Sequence, residues 1–377
     1  MKKTINIIVN GKPYLVKAGQ TIMQALDELG FHIPRLCYFP KLNFQGSCRI
    51  CVVEIKGRSD LVASCTFPIR NGMEIDTHSK KVLEARKMIL EFLLANHPLD
   101  CMTCEKSGAC ALEDLAYELN IKKSSFLPNR EQQPIEKNNP FIVRDLNKCI
   151  LCGRCVEMCN EVQRSGIINF AQRGFDTDIA VEDGRDLIHS NCVFCGQCVT
   201  VCPVGALIDK NSVGKGRSWE FEKIKTTCNY CGCGCNFNFN IRDRKVVKVT
   251  PDKGSEVNGI NLCVKGRFGY DYIHHDDRIT EPLIRKKGYF YRASWEEALD
   301  VISSQFKRII NQYGHNSIAV LSSAKCTNEE NYLLMKFCRA VLGTNNIDHC
   351  ARLCHSATVA GLAHAFGSGA MTNSINE

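Results

Sequence analysis

Cys149-Ile-Leu-Cys152-Gly-Arg-Cys155-Val-Glu-Met-Cys159 recurs as Cys192-Val-Phe-Cys195-Gly-Gln-Cys198-Val-Thr-Val-Cys202, 43 residues further along the chain. Each run spaces its cysteines as C-x2-C-x2-C-x3-C. Thiols two residues apart can turn onto one soft metal centre, and thiolate sulfur is the natural ligand of iron–sulfur clusters. In paired runs of this kind the fourth cysteine crosses over to the other cluster. One four-iron cluster is therefore expected on Cys149, Cys152, Cys155 and Cys202, and another on Cys192, Cys195, Cys198 and Cys159. Pro203 follows the second run as the pattern expects. Asn160 stands in its place after the first run, which alters a turn but removes no ligand.

Further groups flank this repeat. The 377-residue chain has 24 cysteines, and twenty of them lie between Cys37 and Cys263. Cys37, Cys48, Cys51 and Cys65 have a tight central pair with long outer spacings. Zinc also takes paired cysteines, but the long spacings favour a two-iron cluster in a loop. His97, Cys101, Cys104 and Cys110 offer an imidazole and three thiolates. A histidine after a helix is ordinarily a cap; three cysteines in need of a fourth ligand make it a ligand candidate. Cys228, Cys231, Cys235 and Cys263 form a fifth set, with Cys233 read as a non-ligand inside it. Cys326, Cys338 and Cys350 have no cluster spacing and are expected to be core thiols.

Composition bounds the class. With 44% hydrophobic and 23% charged residues the chain reads as a soluble globular protein, and no apolar run reaches the roughly 18 residues of a membrane span. The start, Met1-Lys2-Lys3, reaches the Asn10-Gly11 turn too early for a signal peptide. Free thiols in such number suit a reducing cytoplasm and argue against a disulfide-stapled secreted protein. The formal charge of +8 counts cysteines as neutral. Nineteen ligand thiolates and five oxidised clusters would contribute about −9. The basic excess is thus read as compensation for clusters, not as a nucleic-acid surface.

Local pattern places these groups on elements. Residues 4–17 read as a hairpin through Asn10-Gly11, followed by a helix at about 20–29. Residues 79–95 read as a helix capped by Ser79, with an apolar face of Val82, Leu83, Met88, Ile89, Phe92 and Leu93. Residues 121–140 and 211–225 read as linkers. Ser294-Trp295-Glu296-Glu297 reads as a capping box opening a helix to about 312. Ile318-Ala319-Val320-Leu321 reads as a buried strand, and a helix at about 328–342 stops at Gly343. This alternation predicts a parallel sheet.

The order of the sites resembles the large iron–sulfur subunit of respiratory complex I, and also the amino-terminal half of iron-only hydrogenases. Ile33-Pro34-Arg35-Leu36-Cys37 and Asn96-His97-Pro98-Leu99-Asp100-Cys101 carry that likeness. From Cys228-Asn-Tyr-Cys231-Gly-Cys-Gly-Cys235 onward the chain resembles the molybdopterin oxidoreductases, specifically the formate dehydrogenases. Cys263-Val264-Lys265-Gly266-Arg267, the segment Arg278 to Arg285 and the loop Asn346-Ile347-Asp348-His349-Cys350-Ala351-Arg352-Leu353-Cys354-His355-Ser356 carry it. Gly369-Ala370-Met371-Thr372-Asn373-Ser374 continues the match. The later cysteine motifs of iron-only hydrogenases are absent.

The resemblance implies an α+β multidomain iron–sulfur protein. It comprises a β-grasp [2Fe-2S] domain (1–78), a His/Cys3 [4Fe-4S] domain (79–120) and, after the first linker, a two-cluster ferredoxin-like domain (141–210). After the second linker come a molybdopterin oxidoreductase [4Fe-4S] domain (226–282) and the start of an α/β pterin-binding domain (283–377). Cys354 would ligate molybdenum or tungsten held by a bis-molybdopterin guanine dinucleotide. His355 would help handle the proton or hydride of formate, and Lys265 would aid electron passage between the fifth cluster and the pterin. The implied activity is formate/CO2 interconversion. Five clusters would relay electrons to a flavin-containing diaphorase, a ferredoxin or a hydrogenase subunit. Such enzymes continue for several hundred residues beyond this loop, so the chain reads as an amino-terminal portion, inactive by itself. The alternative is an electron-transfer-only iron–sulfur subunit of a larger NAD(P)-linked or hydrogenase complex.

Overall fold

The computed structural model describes residues 3–40, 42–43, 45–127 and 132–369. The match at 370–374 lies outside the described residues. At the amino terminus, Asn10 and Gly11 both adopt left-handed φ, 48° and 78°. This is the turn that lets two right-twisted strands return on each other. Strands β1 (Thr4–Val9) and β2 (Lys12–Lys17) accordingly pair antiparallel, with Ile7 opposite Tyr14. Helix α1 (Ile22–Glu28) starts at a reciprocal Thr21/Gln24 capping box and buries Ile22, Met23, Ala25 and Leu26. Strands β3 (Val52–Ile55), β4 (Val62–Ala63) and β5 (Glu74–Asp76) complete a mixed sheet of order β2-β1-β5-β3-β4. The parallel β1–β5 pair beneath α1 makes this a β-grasp.

Helix α2 (Lys80–Ala95) is capped by Ser79, whose Oγ accepts from Val82 N at 3.3 Å. Its buried stripe is Val82, Arg86, Leu90 and Leu94, a strict i, i+4 row. The expected apolar face is thus displaced: Met88 and Phe92 are 56% and 53% exposed. Arg86 is drawn inward because its Nη2 donates to the Val52 carbonyl at 2.9 Å, while Phe92 stacks on Phe126 with ring centroids 4.4 Å apart. Helix α3 (Ala111–Glu118) follows.

The central repeat folds as two matching halves: β6 (Ile142–Arg144), α4 (Arg154–Glu157), β7 (Ile168–Ala171), β8 (Asp178–Val181), α5 (Gln197–Val201) and β9 (Leu207–Asp209). β6 pairs antiparallel with β9, and β7 with β8. The expected linkers are not free spans. Glu136 exchanges two backbone hydrogen bonds with Arg144, at 2.9 and 3.0 Å, and their side chains pair at 2.7 Å. In the second stretch, Gly214 N donates to Glu105 Oε1 at 3.0 Å and the Arg217 guanidinium donates to the Cys104 carbonyl at 2.5 Å.

Strands β10 (Glu222–Thr227), β11 (Asn236–Arg242) and β12 (Lys245–Pro251) and helix α6 (Val264–Phe268) lead onward. The chain divides into two compact units. The first holds residues 1–224, 238–251 and 260–268; the second holds 225–237, 252–259 and 269–377. In the second unit β13 (Leu283–Lys286) and β14 (Tyr289–Arg292) form a hairpin, followed by α7 (Trp295–Tyr313). Ser294 caps α7 by accepting from Glu297 N at 3.1 Å, but the box is one-sided: the Glu297 carboxylate pairs with Lys286 at 3.1 Å. The expected strand sits two residues later, as β15 (Val320–Ser322), with Ile318 buried and Leu321 87% exposed. Helix α8 (Asn328–Lys336) follows, then β16 (Ile347–His349), which pairs with β15 in parallel as the alternation predicts. Helices α9 (Ala351–Cys354) and α10 (Ser356–Phe366) have no buried residue. Among the described residues no helix is long and apolar enough to cross a membrane.

Candidate cluster sites

The β-grasp sheet carries the first group. Cys37 follows α1 through a loop that Arg35 ties down, with its guanidinium on both oxygens of Asp27. Cys48 and Cys51 precede β3, and Cys65 follows β4. All four are buried. Their sulfurs share one hydrogen-bond network, Cys37 with Cys48 and Cys65, and Cys51 with Cys65. It holds Cys37 far below the usual thiol range and lowers Cys51 to about 6, while Cys48 and Cys65 are pushed up. Four thiols that share protons in this way are arranged to surrender them to a cation.

The second group shows a sharper sign of a missing partner. The His97 ring is largely buried, its Nδ1 has no hydrogen-bond partner, and burial holds the imidazole neutral. A neutral ring with an orphaned buried nitrogen presents a lone pair to a metal. Cys104 and Cys110 are buried nearby and Cys101 is exposed; burial pushes the Cys110 thiol up to about 11. Lys148 pairs with Asp100 at 2.9 Å beside them.

The central repeat encloses two cavities. One is lined by Cys149, Cys152, Cys155 and Cys202 with apolar neighbours. The other is lined by Cys159, Cys192, Cys195 and Cys198. The halves use the same backbone device. Leu151 and Phe194 hold left-handed φ of 52° and 49°, and each donates its N–H to the sulfur two residues back, Cys149 and Cys192, at 3.4 Å. Left-handed non-glycine residues are strained and persist where the surroundings impose them. Cys159 sits in a π turn (Met158–Val162) that extends α4. Burial pushes Cys152 up to about 12 and Cys155 and Cys198 well up, so without metal these thiols stay protonated. Among the described residues no three His, Cys, Asp or Glu side chains are placed to hold a single ion.

In the second unit, Cys228 N donates to the Cys235 carbonyl at 2.8 Å and closes a loop that also holds Cys231 and Cys233. Burial and the Cys233 sulfur, 3.4 Å away, raise Cys235 to about 12. Cys263 and Lys265, both exposed, belong to the first unit at the start of α6. Cys354 ends α9 and His355 joins it to α10; both are exposed. Cys338 is buried as expected, Cys326 is half-buried, and Cys350 departs from expectation. It is exposed, and hydrogen bonds from the Ala324 backbone, Ser323 and Cys354 lower its thiol. One helical turn places it beside Cys354, which spacing alone did not reveal. Sequence reading also left three buried arginines unassigned: Arg86, Arg154 and Arg267.

Family models match along the whole chain in the same order. They are a 2Fe-2S cluster-binding domain (2–80), the iron–sulfur binding region of NADH-ubiquinone oxidoreductase-G (86–125), a 4Fe-4S dicluster domain (148–206), the molybdopterin oxidoreductase Fe4S4 domain (221–275) and molybdopterin oxidoreductase itself (278–377). Residues 221–275 and 278–377 thus carry the molybdopterin oxidoreductase part of the chain, behind three iron–sulfur regions. The chain is similar to the NADPH-Fe(3+) oxidoreductase subunit alpha of Geobacter sulfurreducens, with 37% identity over 99% of this chain and 43% of that protein. It is 35% identical to Bacillus subtilis YrhE, provisionally named a formate dehydrogenase, over all of this chain and 42% of that protein. The chain thus spans less than half the length of these relatives. A chain of an NAD+-reducing [NiFe]-hydrogenase matches 56% of this chain and 90% of its own length, with 31% identity and a TM-score of 0.53.

Proposed function

We propose that this chain is the cluster-bearing amino-terminal part of a formate dehydrogenase or CO2 reductase catalytic subunit. The reading is carried by one observation: five groups of candidate ligands stand along the chain in family order, and a Cys354-His355 pair follows them at the end of a short helix after a parallel strand. The ligand sets would be Cys37, Cys48, Cys51 and Cys65 for a two-iron cluster, and His97, Cys101, Cys104 and Cys110 for a four-iron cluster. The two cavities of the central repeat would each hold a four-iron cluster, and Cys228, Cys231, Cys235 and Cys263 a fifth cluster. A molybdenum or tungsten pterin, when bound, supplies the two-electron chemistry. The chain's part is to offer the exposed Cys354 thiolate as a metal ligand, to place His355 where a proton is taken up or released, and to conduct electrons singly. Lys265, two residues beyond Cys263, would present a cation between cluster and pterin. A diaphorase-type partner reaching NAD(P), or a ferredoxin, would take the electrons at the two-iron or histidine-ligated end, and the complex would work in the cytoplasm.

The hydrogenase likeness favours a second reading, in which the protein only relays electrons within a larger complex. One experiment separates them. The full-length polypeptide, purified without oxygen, is analysed for iron, molybdenum and tungsten and then exposed to formate. About 18 irons, one molybdenum or tungsten and formate-dependent bleaching of the clusters support the enzyme. The same iron without either heavy metal and without a formate response supports the relay. About four irons, or abundant zinc, would overturn both.

A further inference from the structure

One guanidinium joins the β-grasp loop to the central repeat. Arg154 stands between Cys152 and Cys155 and is 9% exposed. Its Nη2 donates to the carbonyl of Tyr38, the residue after Cys37, at 2.7 Å. Its Nη1 donates to the carbonyl of Val201, the residue before Cys202, at 3.4 Å. Phe39 lies under the guanidinium at 5.4 Å, and Nε is buried with no hydrogen-bond partner. Among the described residues no carboxylate pairs with it. Cys152, Cys37, Cys202 and Cys48 are the leading titratable groups that act on its charge.

An arginine remains charged, and a buried charge requires a counter-charge or full hydrogen bonding. The two backbone carbonyls leave Nε unsatisfied, and no carboxylate supplies the missing charge. The negative charge on offer comes from two ligand sets. We propose that Arg154 is the shared counter-ion of the two-iron site of Cys37, Cys48, Cys51 and Cys65 and the four-iron site of Cys149, Cys152, Cys155 and Cys202. This rests on the cluster assignments above. A cation between two such sites favours the reduced, more negative state of each, so it raises both potentials. Through the Tyr38 and Val201 carbonyls it also fixes the spacing of the two ligand loops across which an electron passes.

The test is a redox titration of the full-length holoprotein, followed by electron paramagnetic resonance, for the parent, R154M, R154Q and R154K. Iron content and the parent's cluster signals report on the cluster assignments themselves, separately from the arginine. With those in place, the neutral variants should shift two signals, the two-iron one and a single four-iron one, to more negative potentials. R154K should stay closer to the parent at both. Loss of iron in R154M and R154Q with retention in R154K also supports the counter-ion role. Unchanged potentials in a loaded neutral variant overturn it, as does a shift at the four-iron signal alone. Equal loss of iron in all three variants would make Arg154 a packing residue and overturn it too.

Discussion

Gly205 packs directly on the sulfur of Cys104: a Cβ at Gly205 would stand 2.9 Å from Cys104 Sγ. The turn after the second cysteine run is thereby pressed against the histidine-containing group. Lys106 Nζ donates to the Cys202 carbonyl at 3.0 Å and Ala111 N to the Pro203 carbonyl at 2.9 Å along the same seam. Neither partner can yield without moving a ligand loop. G205A should therefore displace Cys104, at a cost of about 1–3 kcal/mol for overpacking. Iron should fall from about 18 to about 14 per chain with the other clusters intact, as read by metal analysis.

His97 offers a different handle. Its orphaned Nδ1 and neutral ring fit a ligand that brings no charge of its own. In H97C a thiolate replaces it, so iron should be retained and one four-iron potential should move to more negative values. In H97A the same cluster should be lost or depleted. If H97C left every potential unchanged, His97 would not be a ligand.

Cysteine spacing carried most of this arrangement into view, because C-x2-C fixes which sulfurs can meet before any tertiary contact is known. The Asn10-Gly11 turn and the Ser79 and Ser294 caps were legible for the same reason: each is settled by neighbours in sequence. What was not legible depends on long-range polar contacts. No periodicity puts Arg86 on the buried face of α2, since its place follows from a carbonyl on β3, 34 residues away. Nothing local marks Arg154 as buried, since its place follows from the Tyr38 carbonyl, 116 residues distant, which accepts from it. Cys350 was misread because local composition does not reveal that α10 and its surroundings stay uncovered among the described residues.

Asp209 provides a pH test. It ends β9, where it is buried, and its Oδ1 accepts from Asn211 N at 2.9 Å. Burial raises its carboxyl from 3.8 to about 6, despite Lys248 and Arg267 nearby. The unfolded chain therefore releases this proton first as pH rises, and stability falls between about pH 4 and 6, by roughly 3 kcal/mol in full. Above about pH 6 the effect is constant. D209N keeps the acceptor and removes the charge, so its advantage in denaturation midpoint over the parent should grow up to about pH 6 and then level off. An advantage independent of pH would refute the buried-carboxyl account.

Cys354 and Cys350 lie one helical turn apart, both exposed, and hydrogen bonds to Cys350 from Cys354, Ser323 and the Ala324 backbone lower the Cys350 thiol. Two neighbouring thiols make it necessary to ask which one a metal would take. Cys354 stands at the end of α9 next to His355, the pair that the proposed function assigns to the metal. C354S in the full-length polypeptide should therefore lose molybdenum or tungsten while iron stays at about 18, since no cluster ligand is touched. C350S should keep both. Loss of the heavy metal in C350S with retention in C354S would exchange the roles of the two residues, and loss of iron in either would place this loop against a cluster.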